Sequence, residues 1–191
     1  MNDPIVIVGA ARTPMGAFQS DFASLSANDL GAVAIKAAVE RAGIKAEDVE
    51  HVYFGNCLMA GQGQAPARQA SIKAGLPVSA GAVTLSKMCG SAMQAAIFAY
   101  DALAAGSADV IVAGGMESMT NAPYIIPKAR GGYRIGTACV TAANSPNGGA
   151  PTRRVGESGA CSSGWAASIA CSSTNSLSYS ASGMVGASST W

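Results

Sequence analysis

Apolar and polar residues alternate in blocks along the first 136 residues, and the block lengths predict strands and helices in turn. Short apolar runs bounded by small or turn-forming residues are typical of buried strands, and they read PIVIVGAARTP, VEHVYFGNCL, AVTLS and ADVIVAGGMESM. Longer blocks that end at glycine are typical of helices, and they read SANDLGAVAIKAAVERAG, APARQASIKAGL and GSAMQAAIFAYDALAAG. Strands that alternate with helices predict a mostly parallel sheet covered on both faces, so the predicted fold class is α/β.

The first helix has signals at both of its ends. Ser26 is a good N-cap, Asp29 stands three residues later as in a capping box, and Gly43 follows the last turn. The face that we expect to be buried consists of Leu30, Val33, Ala34, Ala37 and Ala38. The second helix has Pro66 in its first turn and Gly75 at its end, both positions that favour helix boundaries.

The third helix is apolar on nearly all sides. Asp101 is its only charged residue. One apolar face consists of Met93, Ala96, Ile97, Tyr100 and Leu103, and the opposite side is almost as apolar, with Ala92, Ala95, Phe98, Ala99, Ala102 and Ala104. A helix of this kind is expected to be buried on all sides, which requires a layer of structure beyond a single sheet.

Residues 137–191 differ in composition from the preceding part. Ser, Ala and Gly dominate, Leu177 is the only leucine, and the only charged residues are Arg153, Arg154 and Glu157. No stretch has a period of 2 or 3.6, so we expect irregular or disordered structure. The sequence therefore predicts one domain over residues 1–136 and a Ser/Ala/Gly-rich tail over residues 137–191.

Charge and cysteine spacing exclude several classes of function. The net charge of +1 gives no reason to expect a nucleic acid or a membrane surface as partner. No apolar run reaches the roughly 18–20 residues of a membrane span, and the N-terminus lacks the pattern of a secretory signal. The cysteines are odd in number and form no C-x-x-C pair, which argues against zinc and against a disulfide framework and favours the cytoplasm. They are Cys57, Cys89, Cys139, Cys161 and Cys171.

Cys89 is the candidate nucleophile. It stands in LSKMCGSAMQ, between a predicted strand and the start of the third helix. Unsatisfied N–H groups and the helix dipole favour the thiolate at such a position, and the Cys89 N–H is a candidate donor to an oxyanion. Gly90 leaves room for an acyl group. The alternative is a buried, inert cysteine, because free cysteines are among the most buried residue types.

Four motifs, in order, resemble the N-terminal part of a thiolase of the acetyl-CoA acetyltransferase type. They are IVGAARTPMGAFQS, YFGNCLMAGQGQAPARQASIKAGLP, LSKMCGSAMQAAIFAYDALAAG and VIVAGGMESMTNAPY, within a match from about Pro4 to Gly136. The resemblance implies a layered α-β-α-β-α fold of two similar halves, of which this chain encodes most of the first. It also implies a homo-oligomer, a dimer or a tetramer, and no cofactor, because acetyl-CoA and CoA are substrates.

The resemblance implies a role for Cys89 as well. The thiol takes the acetyl group of acetyl-CoA as a thioester and yields it to the enolate of a second acetyl-CoA, which gives acetoacetyl-CoA; the reverse reaction is thiolysis. Met116 and Asn121 follow the fourth strand, where a crevice at the strand ends is expected, and we predict that they contact substrate.

The family's C-terminal motifs are absent from this sequence. These are a histidine in G-H-P, a second cysteine in C-x-G-x-G and an Asn-Glu motif, and neither His51 nor a cysteine of the tail matches them. We therefore expect this chain to be inactive by itself. One alternative is a truncated or frame-shifted, non-catalytic remnant whose break follows Gly136. Another is a condensing enzyme like ketoacyl synthase, although AARTP and GGMESMTNAP favour thiolase.

Overall fold

The computed structural model describes residues 5–126, 130, 141–142 and 167–173 of the 191-residue chain. In these ranges it contains three α-helices, α1 (Ala27–Ala42), α2 (Pro66–Lys73) and α3 (Ser91–Ala104). The strands are β1 (Ile5–Arg12), β2 (His51–Gly55), β3 (Gly81–Leu85), β4 (Val110–Gly115), β5 (Tyr124–Ile125), β6 (Thr141–Ala142) and β7 (Ala167–Ser173). Short 3₁₀ turns occur at Ala46–Asp48 and Met119–Asn121.

Five strands form one mixed sheet in the order β1-β7-β4-β2-β3, and β5 pairs with β6 in a separate antiparallel pair. The neighbours β4, β2 and β3 are parallel, as expected for strands linked by helical crossovers. Strand β7 runs antiparallel to both β1 and β4. The mostly parallel α/β sheet that the sequence predicts is therefore present in the described part of the chain.

Two apolar clusters cover the two faces of the sheet. On one face α1 and α2 pack over Val52, Phe54 and Val112, and on the other α3 packs over Ile111 and Ala113. All six residues of β4 are buried, which is typical of a strand covered on both sides. The result is three layers, α-β-α, of the layered fold predicted from the sequence.

Strand β7 corrects the prediction of irregular structure for residues 137–191. Ala167–Ser173 lies inside the sheet, and its register runs from Arg12↔Ala167 to Ile5↔Ser173 on one side. The sequence ASIACSS alternates only weakly, because most of its residues are small, so the side-chain pattern gave little signal here. Backbone N–H and C=O groups of β1 and β4 supply the pairing instead, and this interaction depends little on side-chain type.

Helix α1 begins and ends where its sequence signals predict. Ser26 is the N-cap of a complete capping box with Asp29, and Gly43 adopts the left-handed conformation with φ of 67°. The prediction that Val33 is buried is wrong, because 61% of its surface is exposed. The buried stripe turns instead through Leu30, Ala34, Ile35, Ala38, Val39 and Ala42.

Helix α3 is covered on one side only by the described residues. Ala95, Ala99 and Leu103 are buried against the sheet. The outer surface carries four large apolar side chains with exposed fractions of 43–74%, namely Met93, Ile97, Phe98 and Tyr100. We call these four residues the outer face of α3. In the described part of the chain, no helix is long and apolar enough to cross a bilayer.

Candidate functional site

The candidate nucleophile lies in the turn of residues 86–90 that joins β3 to α3, which we call the Cys89 turn. Cys89 is exposed, and Gly90 is the N-cap residue of α3. Met88 has a φ of 47°, which is uncommon for a residue with a side chain. The N–H groups of Gly90 and Ser91 donate to the carbonyls of Lys87 and Met88, each at 3.0 Å, so both donors are used inside the turn.

Ser91 closes this turn with its side chain. Its Oγ accepts a hydrogen bond from the Lys87 N–H at 2.7 Å and donates to the Met88 carbonyl at 2.6 Å. Only 4% of Ser91 is exposed, so water competes little for these bonds. Sequence reasoning missed this role, although a serine at the first position of a predicted helix is a residue type that bonds nearby backbone.

Two glycines allow the first turn of α3 to approach the sheet. Gly55 and Gly115 are paired residues at the carboxyl ends of β2 and β4. A Cβ at Gly55 would stand 2.7 Å from the Ala92 nitrogen, and a Cβ at Gly115 would stand 2.8 Å from the Ala92 Cβ. Contacts that short are not possible, so side chains at these positions would push the start of α3, and the Cys89 turn with it, away from the sheet.

A second thiol lies against the Cys89 turn. Cys57, which follows β2, donates from its Sγ to the Met88 carbonyl at 2.9 Å and lies 3.6 Å from the Ser91 Oγ. Burial is the main cause that raises the pKa of the Cys57 thiol, and the Glu117 carboxylate acts in the same direction. Cys57 is therefore a protonated donor near neutral pH. The sequence indicated only that this cysteine is present.

Glu117 holds the segment that carries Cys57. Its Oε1 accepts hydrogen bonds from the Asn56 Nδ2 at 2.9 Å and the Leu58 N–H at 3.1 Å, while its Oε2 accepts from the Cys57 N–H at 2.8 Å. The buried Asn56 also donates to the Met116 carbonyl at 3.0 Å. One carboxylate thus satisfies donors of three consecutive residues and ties the end of β2 to the end of β4.

The two predicted substrate contacts lie in the loop after β4. The Met116 side chain is 3% exposed and belongs to the core under α1, where a Cβ on Gly31 would meet its sulfur. The Asn121 Nδ2 donates to the Leu25 carbonyl at 2.8 Å and to the Ser118 Oγ at 2.9 Å. Both residues hold this loop to its surroundings, and Met116 is linked to the Cys89 turn through Asn56 and through its N–H, which donates to the Gly55 carbonyl at 2.9 Å.

The single histidine of the chain lies at the opposite end of the sheet from Cys89. His51 opens β2, is paired with Gly81 at the start of β3, and stacks on Tyr53 with ring centroids 5.8 Å apart. Cys89 follows the other end of β3, and a five-residue strand spans roughly 13 Å. The histidine is therefore not placed to activate Cys89. Among the described residues, no three potential ligand side chains are grouped to hold a metal ion.

Three cysteines of the segment 137–191 were predicted to have no catalytic role. Cys139 and Cys161 lie outside the described residues. Cys171 is in β7, where its backbone pairs with Ile7 and Ile111.

A family model described as "Thiolase, N-terminal domain" matches residues 5–177. The acetyl-CoA acetyltransferase of Cupriavidus necator is 52% identical over 134 residues, which are 70% of this chain and 34% of that protein. Cytosolic acetyl-CoA acetyltransferase ERG10 of Gibberella zeae is 50% identical over 133 residues, again 70% of this chain and 34% of the relative. Mitochondrial acetyl-CoA acetyltransferase B of Xenopus laevis is 53% identical over 129 residues, 68% of this chain and 31% of the relative.

Among solved structures, the Acat5 thiolase from Ascaris suum in complex with coenzyme A superposes with a TM-score of 0.72 at 40% identity. The matched part is 75% of this chain and 37% of that protein. The chain thus spans about a third of the length of the relatives that it matches. A family match that covers most of the chain, together with identities near one half, settles its ancestry: the chain belongs to the thiolase family, whose N-terminal domain it carries.

Proposed function

We propose that this chain carries the acyl-accepting part of an acetyl-CoA C-acetyltransferase, with Cys89 as the nucleophile. The observation that carries the proposal is the exposed thiol in the turn that begins α3. Relatives named acetyl-CoA acetyltransferase, at 50–53% identity, support the reaction class. The Ascaris thiolase, which was solved with coenzyme A, supports CoA thioesters as substrates rather than bound cofactors.

In the first half-reaction the Cys89 thiolate attacks the carbonyl carbon of acetyl-CoA. A new S–C bond forms on Cys89, the thioester bond to CoA breaks, and CoA leaves as a thiolate that takes up a proton. Cys89 directly precedes Gly90, the N-cap residue of α3, so the positive end of the helix dipole faces the negative charge that develops during the attack. Donation from the Cys89 N–H to the oxyanion remains part of the proposal, since the next two amides are already bonded within the turn.

The second half-reaction needs a base that the described residues do not place beside Cys89. An enolate of a second acetyl-CoA would attack the acetyl thioester, form the C–C bond of acetoacetyl-CoA and release the Cys89 thiolate. The α-carbon must first lose a proton, and His51 lies at the far end of the sheet. We therefore assign the acylation step to this chain and expect no condensation from the 191-residue chain alone.

Met116 and Asn121 complete the proposed site as residues that shape the substrate side of the loop after β4. Their positions after the carboxyl end of a parallel strand support this role, because ligands of α/β sheets bind at that edge. Their contacts with Asn56, Leu25 and Ser118 give the loop a defined path.

Assembly and location are also proposed. A homo-oligomer, dimer or tetramer, is supported by the apolar outer face of α3 and by β3, an edge strand whose Val83 is 46% exposed. A cytoplasmic location is supported by the spacing of the cysteines. Relatives named as cytosolic and as mitochondrial both occur, so the family itself does not select a compartment.

We also propose a domain boundary after Gly136, followed by a Ser/Ala/Gly-rich tail that contributes β7. Alignments with the named relatives span 129–134 residues, while the family model extends to residue 177. A frame-shifted, non-catalytic remnant is the second candidate, and the missing base favours it. Sequencing the encoding DNA across codon 137 separates the two, because an uninterrupted thiolase frame in another phase is expected only for a frame shift.

The proposed acylation is tested by intact mass spectrometry of the chain before and after incubation with acetyl-CoA. We expect one acetyl adduct, and peptide mapping should locate it on Cys89. The Cys89→Ala variant should carry none. An unmodified wild-type chain, or an adduct that persists in the variant, would contradict the assignment of Cys89 as acyl acceptor.

A further inference from the structure

The sulfur of Cys57 lies beside the backbone of the Cys89 turn. Cys57 Sγ lies 2.9 Å from the carbonyl oxygen of Met88, the residue whose carbonyl is bonded to the Cys89 nitrogen. The dimensions of a trans peptide then place Cys57 Sγ within about 6 Å of Cys89 Cα. A disulfide also needs the two Cα atoms roughly 4.4–6.8 Å apart, so its formation requires the exposed Cys89 turn to move the Cys89 side chain toward Cys57.

The environments of the two thiols differ in a way that suits a redox pair. Cys89 is exposed in the turn before α3, and exposure makes a cysteine more readily oxidised than a buried one. Cys57 is partly buried and protonated, and its Sγ is held against the Cys89 turn by the Met88 carbonyl and the Ser91 hydroxyl. The clamp of Glu117 on the Cys57 N–H fixes the backbone of this second thiol.

We propose that Cys57 is the resolving cysteine of a peroxide-responsive pair with Cys89. The Cys89 thiolate attacks one oxygen of hydrogen peroxide, the O–O bond breaks, and hydroxide leaves, which gives a sulfenic acid on Cys89. The Cys57 sulfur then attacks the Cys89 sulfur, the S–S bond forms and the S–O bond breaks. The departing hydroxide takes the proton of the Cys57 thiol and leaves as water. The two cysteines are oxidised by two electrons, and the peroxide is reduced.

This pair would protect the acyl acceptor. Without a resolving thiol, a sulfenic acid is oxidised further to sulfinic acid, which thiol reductants do not reverse. The disulfide, in contrast, is reduced by a dithiol and returns both cysteines. The inference rests on the proposed function only for this consequence, since the disulfide itself forms in the absence of CoA.

The test uses the full chain, reduced and then exposed to hydrogen peroxide in excess of two equivalents before the free thiols are blocked, because sulfinic acid formation consumes two peroxides for each cysteine. Lys and Arg residues between positions 57 and 89 put the two cysteines in different tryptic peptides. We expect a cross-linked pair of these peptides that disappears after treatment with dithiothreitol. In the Cys57→Ser variant we expect no cross-link and Cys89 sulfinic acid instead.

Two results would overturn the proposal. One is a wild-type chain in which Cys89 accumulates as sulfinic acid with Cys57 free, and the other is a cross-link from Cys89 to a different cysteine. The wild-type peptide map decides the matter even if the Cys57→Ser variant fails to fold, which circular dichroism would reveal. Acetyl-CoA treatment of the reduced chain is scored separately, so a cross-link without an acetyl adduct would reject the proposed function and leave this inference standing.

Discussion

At the scale of single residues, Glu117 makes the strongest polar contacts of the site. Its carboxylate receives hydrogen bonds from the Asn56 side chain and from the Cys57 and Leu58 amides, at 2.8–3.1 Å. Hydrogen bonds to a charged acceptor are worth roughly twice as much as neutral ones. The position of Cys57, and through it the Cys89 turn, therefore depends on one ionised side chain from another strand end.

We expect Glu117→Gln to lower the free energy of unfolding by about 1–3 kcal/mol, because the amide nitrogen of glutamine would face an N–H donor. Urea denaturation measures this change. The matched control is Glu40→Gln, since Glu40 is exposed and makes only a 4.0 Å pair with Lys36. That variant should stay within about 0.5 kcal/mol of the wild type. Equal losses in the two variants would contradict the clamp.

Substitution by alanine is expected to affect stability differently at Gly55 and at Gly90, although both residues border the Cys89 turn. A Cβ at Gly55 would stand 2.7 Å from backbone atoms of α3, whereas at Gly90 the nearest atom is 3.4 Å away. We expect Gly55→Ala to cost about 1–3 kcal/mol through overpacking. Gly90→Ala should leave the thermal unfolding midpoint nearly unchanged. Similar midpoints for the two variants would show that α3 does not sit as tightly on β2 as the contacts indicate.

At the scale of secondary-structure elements, α1 shows how much local sequence can predict. Ser26, Asp29 and Gly43 marked both helix ends correctly, because capping depends on residues within one turn. The prediction that Val33 is buried was wrong, because the position of the helix on the sheet decides which apolar side chains are buried. Strand β7 had little local signal, since its position comes from pairing with β1 and β4.

The capping box of α1 predicts a dependence of stability on pH. The Lys73 ammonium, which donates to Asp29 Oδ1 at 2.6 Å, and the Ser26 hydroxyl lower the pKa of Asp29 from 3.8 to about 2. A carboxyl whose pKa falls on folding stabilises the fold fully above its unfolded pKa. That contribution is lost as the pH decreases from about 4 through about 2.

Denaturant unfolding of wild type and Asp29→Asn between pH 2 and pH 6 tests this prediction. We expect the variant to be less stable than the wild type at pH 6 and the difference to shrink toward pH 2. The variant keeps an oxygen that can accept from Ser26, so it isolates the charge from the cap. A stability difference that is constant over this range would mean that Asp29 does not titrate in it.

The candidate site, like the fold, could be predicted only in part from the sequence. Cys89 was found because it stands at a strand-to-helix junction, a feature of contiguous sequence. Cys57 and Glu117 form their contacts across gaps of 31–60 residues, for which a single sequence carries no signal. The pairing of the two glycines at the ends of β2 and β4 was missed for the same reason. Ser91 bonds within the turn, so its residue type and position were a local signal that sequence reasoning did not use.

At the scale of the whole molecule, the outer face of α3 is the main unpaired surface of the described residues. The sequence predicted a helix buried on all sides, and the structure supplies cover on one side only. Met93, Ile97 and Tyr100 follow one another along one side of the helix and Phe98 is exposed farther round it, and exposed apolar surface of this kind promotes association. The chain should therefore self-associate in solution.

We expect the double variant Ile97→Lys/Tyr100→Glu to lower the average mass of the chain in concentration-dependent analytical ultracentrifugation. Both side chains are 47–58% exposed, so the fold should tolerate the changes. Val33→Lys is the control, because Val33 is equally apolar and 61% exposed but lies on α1. If the control dissociates the assemblies and the double variant does not, the outer face of α3 is not the contact.

The order of strands in the sheet also sets an order of events on the ribosome. Among the described strands, β1 has β7 as its only neighbour in the sheet, and β7 leaves the exit tunnel more than 150 residues later. Strands β2, β3 and β4 pair among themselves, so they can assemble while translation continues. Strand β1 must wait for residue 173, and until then its contacts within the described residues are with helices, chiefly α1. Premature release from the ribosome, before β7 is made, would therefore leave β1 without a partner strand.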